Sequence, residues 1–512
     1  MQWSMLAVAV VRLAHVAALP CAEAVRTEEL HNANHIFNAI HSSMRQWGSS
    51  FYHNGMSLFP AVVPAGTQLY HGTGFQVPVR GLEWLAFEPD HSLNFARRCK
   101  LSGLDFADSE QEDKASSIHT AHQPLIINPI LNSEQHISRP KPPECVPGWL
   151  HTYRTKEATP LLYIDGMSAG KCNKGTLDSQ DVLLLNASSE SKGKFWEKER
   201  ADRLCKLAAE RWKGKIKGFI RMEAGFEIIM CSFSESLEFV HAVRAGPFSP
   251  APDPEDKGFE RMIWEWVKFV SARYDGIGGG RVKVDYDNLI TAYAQELDLF
   301  EAGDDLPRLE NVSAASLDVV RNEIDSMIES WDPMKMLNEH LIEWQSVADM
   351  VVERYGNLLK YLVSGALTTT DDLLGVLELT LRVFIDSDAR DTAAEVNRCM
   401  TQFDPPDGGK GSIASRSIWD VTRRICDTLF HIFDVNMPLS ESLQNLWTLI
   451  HYLDWSIWKK CPECPYDEVC FIPMWPFGAP GDRDNPQCRN ATDMSRRWGY
   501  WGRPGAVGTE DG

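Results

Sequence analysis

The chain has 512 residues, of which 44% are hydrophobic and 24% charged, and a formal net charge of -20. This length is too great for one compact core and predicts two or three domains, and the composition is that of a folded globular protein. The acidic balance repels phosphate backbones and argues against a nucleic-acid binder, and no stretch after the N-terminus approaches the roughly 20 apolar residues that span a bilayer.

The N-terminus reads "MQWSMLAVAVVRLAHVAALPCAEA". Leu6 to Val11 form a short apolar run, and Ala22 and Ala24 satisfy a small-x-small cleavage rule, so residues 1–24 read as a secretory signal peptide. Arg12 and His15 interrupt the apolar region, and a short buried helix is the other reading. Sequons at Asn186, Asn311 and Asn490 suit a secreted glycoprotein. Of the twelve cysteines, Cys461, Cys464, Cys470 and Cys488 cluster late in the chain. Secretion turns them into disulfides; a cytosolic chain would make them a zinc site.

Apolar residues from Thr27 to Trp47 recur at helical spacing and predict one amphipathic helix. Strand-like pieces follow around Gln68–Tyr70 and Trp84–Phe87. "PDHSLNFARR" reads as a helix with an acidic start and a basic end. Residues 104–147 are polar and without period, a long surface insertion. "PLLYID" and "DVLLLN" read as strands, Lys198 to Trp212 as an amphipathic helix, and "IKGFIRMEAGFEIIMCSF" as one or two strands divided by a glycine. Residues 25–248 therefore form a mixed α/β domain. Four prolines in "AGPFSPAPDPEDKG" mark a linker at 249–258. Seven segments with apolar stripes, among them "NLITAYAQELDLF", then predict a helical domain over 259–458. A Cys/Trp/Pro-rich tail covers 459–502 and a disordered end 503–512. The fold class is α+β and multidomain: a mixed α/β domain, a mainly helical domain and a small cysteine-rich tail.

"ARYDGIGGGRVKVDYDN" carries three adjacent glycines, but no Gly-Lys-Ser/Thr follows, so it is not a phosphate loop; it reads as a structural turn. Asp275, Asp285 and Asp287 lack the spacing of a calcium loop. His340 and Glu343 have no partner motif for a di-iron site. His431 and His451, among apolar residues, read as core histidines.

The order of "LYHGTG", "GLEWLAFEPDHSLNFA" and "GFIRMEAGFEIIMC" resembles the ADP-ribosyltransferase-like families. These carry a first-strand motif with His or Arg before Gly, a second strand leading into a helix, and a late strand bearing Glu. The matching positions are His71 with Gly72, the stretch Trp84 to Ala96, and Glu227, with Glu223 as the other choice. The resemblance implies NAD as the consumed cofactor. It makes His71 and Glu227 the catalytic pair, with Gly72, Trp84 and Phe87 contacting the dinucleotide. Breaking the nicotinamide glycosidic bond generates an oxocarbenium-like centre, which a carboxylate stabilises. Families with a first-motif His commonly carry Tyr in the second motif; this chain offers Trp84 and Phe87, with His91 one turn into the helix. Lys192, Lys194 and the cations between Lys198 and Lys217 would give a basic rim that attracts phosphates or an acidic partner. No metal is implied. The competing reading is a non-catalytic secreted or cell-surface binding protein that uses the helical domain as its interaction surface.

Over most of its length, in "LLYIDGMSAGK", "GTLDSQD", "ARYDGIGGGRVKVDYDN" and "YDEVCFIPMWPFG" among others, the chain also resembles a family of uncharacterised secreted proteins of filamentous fungi. That resemblance implies an extracytoplasmic fungal protein and no particular activity.

Overall fold

The computed structural model describes residues 30–99, 145–187, 197–246, 264, 266–271, 276–301, 305–339, 341–406, 411–494, 497 and 499–502. The expected signal peptide, the linker at 249–258, nearly all of the insertion, His340 and the end at 503–512 lie outside the described residues.

The helix expected over 27–47 is two helices, α1 (Ala33–Ser42) and α2 (Gln46–Phe51). Met44 between them adopts φ 55°, a left-handed conformation that no helix continues through. The chain then enters β1 (Ser57–Val63), β2 (Gln68–Thr73) and β3 (Glu83–Ala86), followed by the short helix α3 (Pro89–Leu93). β4 (Arg97–Cys99) pairs with β5 (Cys145–Pro147). β6 (Trp149–Thr155) and β7 (Thr159–Ile164) come next. "DVLLLN" is not a strand: Ser179–Leu184 form a wide, π-helical turn with every residue buried. A short apolar run fits a buried strand and a buried helical segment equally well, and periodicity does not separate the two.

The helix α4 (Glu197–Glu210) leads to the hairpin β8 (Gly218–Met222) and β9 (Phe226–Met230). The single turn α5 (Phe233–Ser236), β10 (Leu237–Arg244), β11 (Lys283–Val284) and β12 (Ile290–Thr291) follow. Ten strands form one sheet in the order β10-β6-β2-β3-β9-β8-β7-β1-β11, with β12 also paired to β1. All of its pairs are antiparallel except β7 with β8. A parallel pair needs a long crossover, and the segment containing α4 supplies it. β1, β8 and β9 are buried at every residue, which is why they read as near-continuous apolar runs.

Helices dominate the rest: α6 (Ala314–Ser330), α7 (Pro333–Asn338), α8 (Trp344–Leu362), α9 (Thr370–Leu381), α10 (Thr392–Met400), α11 (Ile413–Val435) and α12 (Leu439–Leu453). "NLITAYAQELDLF" is the exception among the expected helices, because Ile290 and Thr291 pair with Leu58 and Ser57 of β1 before a turn of 3-10 helix at Ala292–Ala294. β1 has an open edge there, and its ladder outweighs the helical pattern. His431 and His451 lie on exposed faces of α11 and α12, not in the core.

The sheet and the helices share one continuous core. α1 precedes the sheet in the chain yet packs on α8 and α11. Asn34 and Asn38 of α1 donate to the carbonyls of Tyr452 and Leu453, which end α12. Beyond the glycine-rich turn, whose Gly276, Gly278, Gly279 and Gly280 all have positive φ, Asp285 accepts from Trp331 and Asp287 from Trp344. Those two aspartates tie the sheet edge to the helices instead of holding a cation.

The tail forms β13 (Val469–Phe471), β14 (Gln487–Arg489) and the turn α13 (Ala491–Met494). Cys461–Cys470 and Cys464–Cys488 are disulfides, so their sulfurs are not available as zinc thiolates. Trp475 and Phe477 are buried, and Phe477 meets Trp266 edge-on at 5.4 Å. Among the described residues Cys172 is the free cysteine.

Candidate functional site

β2, β3 and β9 lie side by side, so three segments far apart in the chain become neighbours. β2 and β3 share a single registered pair, Tyr70 with Ala86, and Ala86 is in turn registered with Glu227 of β9. The cavity is lined by His71 and Gly72 of β2, Trp84, Leu85 and Ala86 of β3, His91, Ser92 and Phe95 in and after α3, and Glu227. Its volume is about 260 Å³ with its open mouth included.

His71 is buried, and its Nδ1 donates to the Trp84 carbonyl at 2.7 Å. A carbonyl only accepts, so in the neutral ring Nε2 is the acceptor nitrogen. Trp84 is 6% exposed and lines the cavity. Phe87 does not: its ring is fully buried in the core, and its carbonyl accepts from Arg281 at 2.9 Å. Gly72 lines the cavity, yet a Cβ there would sit 1.9 Å from the Ser92 carbonyl oxygen and 2.8 Å from the Ala96 nitrogen. The absent side chain therefore lets the segment after α3 lie against β2; close approach of a dinucleotide is not what requires it.

Behind the cavity is a buried ionic network. Arg221, fully buried on β8, is registered with Glu227 across the hairpin and donates to it at 2.7 Å. The same guanidinium donates to Gln180 at 3.0 Å and to Glu197. Arg200 makes a two-pronged contact with Asp181 at 2.6 and 2.9 Å and reaches Glu197 at 3.0 Å. Lys171 donates to Glu223 at 2.7 Å and lies 4.9 Å over the Trp475 ring, so the tail buttresses the site. The Cys205–Cys231 disulfide fastens α4, which carries Glu197 and Arg200, to the end of β9.

Burial pushes the Glu227 carboxyl upward, Arg221 opposes that, and the neighbouring Glu223 charge adds to the rise. Burial also works against ionisation of Glu197, but Arg221, Lys171 and Arg200 together hold its carboxyl well below the usual carboxylate range. The two carboxylates are thus pushed in opposite directions, as functional sites often arrange.

His91, Glu223 and Glu227 bring potential ligand atoms within 4.8 Å of one another. The Lys171 ammonium and Arg221 guanidinium already supply the two carboxylates with positive charge, which is what a metal ion would otherwise provide. The donor set therefore does not favour a metal. Most of the cavity's volume of about 260 Å³ is open solvent at the mouth, and the enclosed space is about the size of one water molecule. It has room for one or two atoms of a ligand's polar substituent and not for a ring or a dinucleotide.

The structure thus brings together His71, Gly72, Trp84 and Glu227. Sequence reasoning missed Arg221, Lys171 and Glu197 as parts of the site. Arg221 and Glu227 were detectable as opposite charges equidistant from the hairpin turn in an otherwise apolar pair of strands. Lys171 and Glu197 arrive from separate segments with no local signal. The expected basic rim loses several members to acidic partners: Arg200 is buried on Asp181, Arg203 pairs with Glu199 and Arg211 with Asp325. Lys192 and Lys194 lie outside the described residues.

Among the described residues no helix is long and apolar enough to cross a membrane. Residues 20–247 match the family model of the YPL277C N-terminal domain. The chain is 24% identical over 536 aligned residues to the uncharacterised protein YOR389W of Saccharomyces cerevisiae, covering 88% of this chain and 83% of the relative. It is 31% identical over 245 residues to the uncharacterised protein YPL277C of the same yeast, covering 45% of this chain and 48% of the relative. No solved structure matches the chain significantly. These likenesses support an uncharacterised fungal family, and they carry no activity with them.

Proposed function

We propose that the sheet region is an ADP-ribosyltransferase-like enzyme that breaks the nicotinamide glycosidic bond of NAD. One observation carries the reading: His71, Trp84 and Glu227, from three separate segments, line one cavity. In this reaction the bond between the ribose anomeric carbon and the ring nitrogen breaks, and its electron pair leaves with neutral nicotinamide. Water, or a nucleophilic group on a partner, forms the new bond to that carbon and releases a proton. Glu227 holds a ribose hydroxyl and stabilises the positive charge that develops at the anomeric carbon. Arg221 donates to that carboxyl, opposes the upward push of burial on it and fixes its orientation. His71 offers its acceptor nitrogen to a hydroxyl, and Trp84 supplies an aromatic wall. The enclosed space takes only the carboxamide substituent of the ring, which leaves the ring at the mouth and the remainder of the dinucleotide outside.

The test is release of nicotinamide from NAD by the full chain. Glu227→Gln keeps the shape, removes the charge and should lower the rate by at least about 100-fold. A wild-type chain that neither binds nor cleaves NAD would sink the reading.

The competing interaction-protein reading has one feature in its favour: Leu379 and Val383, four residues apart at the end of α9, are 63% and 67% exposed. That reading also requires that no pocket join His71 and Glu227, and the shared cavity tells against it. We further read the chain as secreted, supported by the four disulfides among the described residues, since such bonds persist in oxidising compartments.

A further inference from the structure

Two histidines face the cavity, and they are held in opposite ways. His71 has its tautomer set by the Trp84 carbonyl. His91, on α3, is 1% exposed, and neither of its ring nitrogens has a hydrogen-bond partner. Its ring is held by aromatic neighbours instead, Phe95 edge-on at 5.9 Å and Trp266 tilted at 6.3 Å. Buried polar side chains are nearly always paired, and an exception with both polar atoms unmatched calls for an explanation, of which a ligand, an ion or a bound water is the physical range. The two carboxylates beside it, Glu223 and Glu227, are turned to Lys171 and Arg221.

The geometry points to His91 as a ligand-binding residue: it hydrogen-bonds the polar substituent of a planar ring held at the cavity mouth, the substituent alone entering the enclosed space, and it selects an uncharged carboxamide over a carboxylate. This rests on the proposed NAD reading, in which that ring is nicotinamide. Burial holds the imidazole neutral, with its pKa down to about 4 despite the opposing Glu227 charge. A neutral ring with no partner to fix its tautomer can either donate to a carboxamide oxygen or accept from the amide N–H. A carboxylate in the same place would meet Glu227 and Glu223 at close range. The ring is positioned by packing alone, so its polar edge is available without prior loss of a bond within the protein. No other described residue lining the cavity combines these properties.

The experiment titrates the full-length chain with nicotinamide and, separately, with nicotinic acid, and follows NAD cleavage in parallel. Wild type should bind nicotinamide at least about tenfold more tightly than nicotinic acid. His91→Phe keeps a ring but loses both nitrogens, and should weaken nicotinamide binding by at least about tenfold while leaving the thermal midpoint equal or higher. His91→Gln retains a donor and an acceptor and should restore most of the affinity, which a purely structural role would not produce. Unchanged nicotinamide affinity in His91→Phe, with NAD cleavage still dependent on Glu227, overturns the role of His91 and leaves the enzyme reading standing. Binding that depends on His91 without any NAD cleavage keeps the binding role and removes the enzyme reading. A wild type that binds neither compound at millimolar concentration overturns both. Zinc or manganese that binds wild type and is lost in His91→Phe would replace the carboxamide with a metal ion and also overturn the inference.

Discussion

In the helical layer, α8, α11 and α12 bury Val351, Leu359, Ile425, Leu429, Leu446 and their like, and the buried polar groups of α11 include Ser417 and Thr422, which bond carbonyls of their own helix. Beneath the cavity the sheet region buries Asp181, Arg200, Arg221, Glu223 and Glu227 together. Among the described residues the helical layer buries Arg321 and Glu395: Arg321 donates to the carbonyls of Leu183 and Val182, and Glu395 accepts from Arg390 at 2.8 Å and from the amide of Asp391, whose side chain caps α10. The charges under the cavity are bonded to one another: Arg221 joins Glu197 and Glu227, and Arg200 joins Glu197 and Asp181. Ion pairs of this kind add little net stability over well-packed apolar groups, so stability alone does not explain them. They lie behind Glu227 and next to His91, whose ring nitrogens have no hydrogen-bond partner, and the proposed activity uses that placement, with the helices as its support.

The sharpest way to break this contrast is to remove Arg221. Arg221→Met leaves Glu197 and Glu227 buried without their shared cation, and should cost about 3–5 kcal/mol of stability. Adding Glu227→Gln to Arg221→Met should recover part of that loss, because one stranded charge is gone. Urea unfolding of the single and double variants measures both quantities. A loss below about 1 kcal/mol for Arg221→Met would place this network with surface ion pairs and dissolve the distinction between the regions.

The contrast also separates what was legible in the sequence from what was not. The helical layer was largely readable, since its stripes and caps are local: Thr369 and Asp372 bracket the start of α9, and Asn436 at φ 54° ends α11. β2, β3 and the β8–β9 hairpin were readable from apolar runs broken by glycine, and with them His71, Trp84 and Glu227. The rest depended on long-range partners. The wide turn at Ser179–Leu184 looked like a strand because a buried run carries no period. Ile290 and Thr291 carry a helical pattern, and the open edge of β1 that makes them a strand is not visible nearby in the chain. Gly72 was legible as a required glycine, but its neighbour is the backbone of Ser92 to Ala96 and not a ligand. His91 was noted only by its place in a helix; its unmatched nitrogens are a property of the packed structure alone.

A smaller effect separates the regions by pH. Asp165 at the end of β7 is 6% exposed, and burial pushes its carboxyl up to about 7, against an amide hydrogen bond from Ser57 at 2.8 Å. The folded-state value lies above the unfolded one, so the protonated carboxyl favours the fold. This contribution is fully present below about pH 4, declines as pH rises, and is gone above about 7. Thermal midpoints of wild type and Asp165→Asn compared from pH 4 to 8 should converge at the acid end and diverge toward neutrality, with the asparagine variant the more stable there. Parallel profiles would show that Asp165 is ionised throughout and that its surroundings are wetter than the structure indicates.

The smallest expected change lies in the helical layer. The Thr369 hydroxyl accepts from the Asp372 amide at 3.1 Å, and the Asp372 carboxylate accepts from the Thr369 amide at 3.1 Å. This reciprocal pair satisfies two N–H groups that α9 would otherwise leave open at its start. Thr369→Ala removes one of the two bonds and should cost about 1 kcal/mol, lowering the thermal midpoint by no more than about 3 °C in a chain of this size. The cap is exposed and belongs to the supporting layer, so NAD cleavage and nicotinamide affinity should be unchanged at temperatures where the variant is folded. Were this remote substitution to alter either one as strongly as Glu227→Gln or His91→Phe does, α9 would be coupled to the cavity, and the helices could no longer be regarded as support alone.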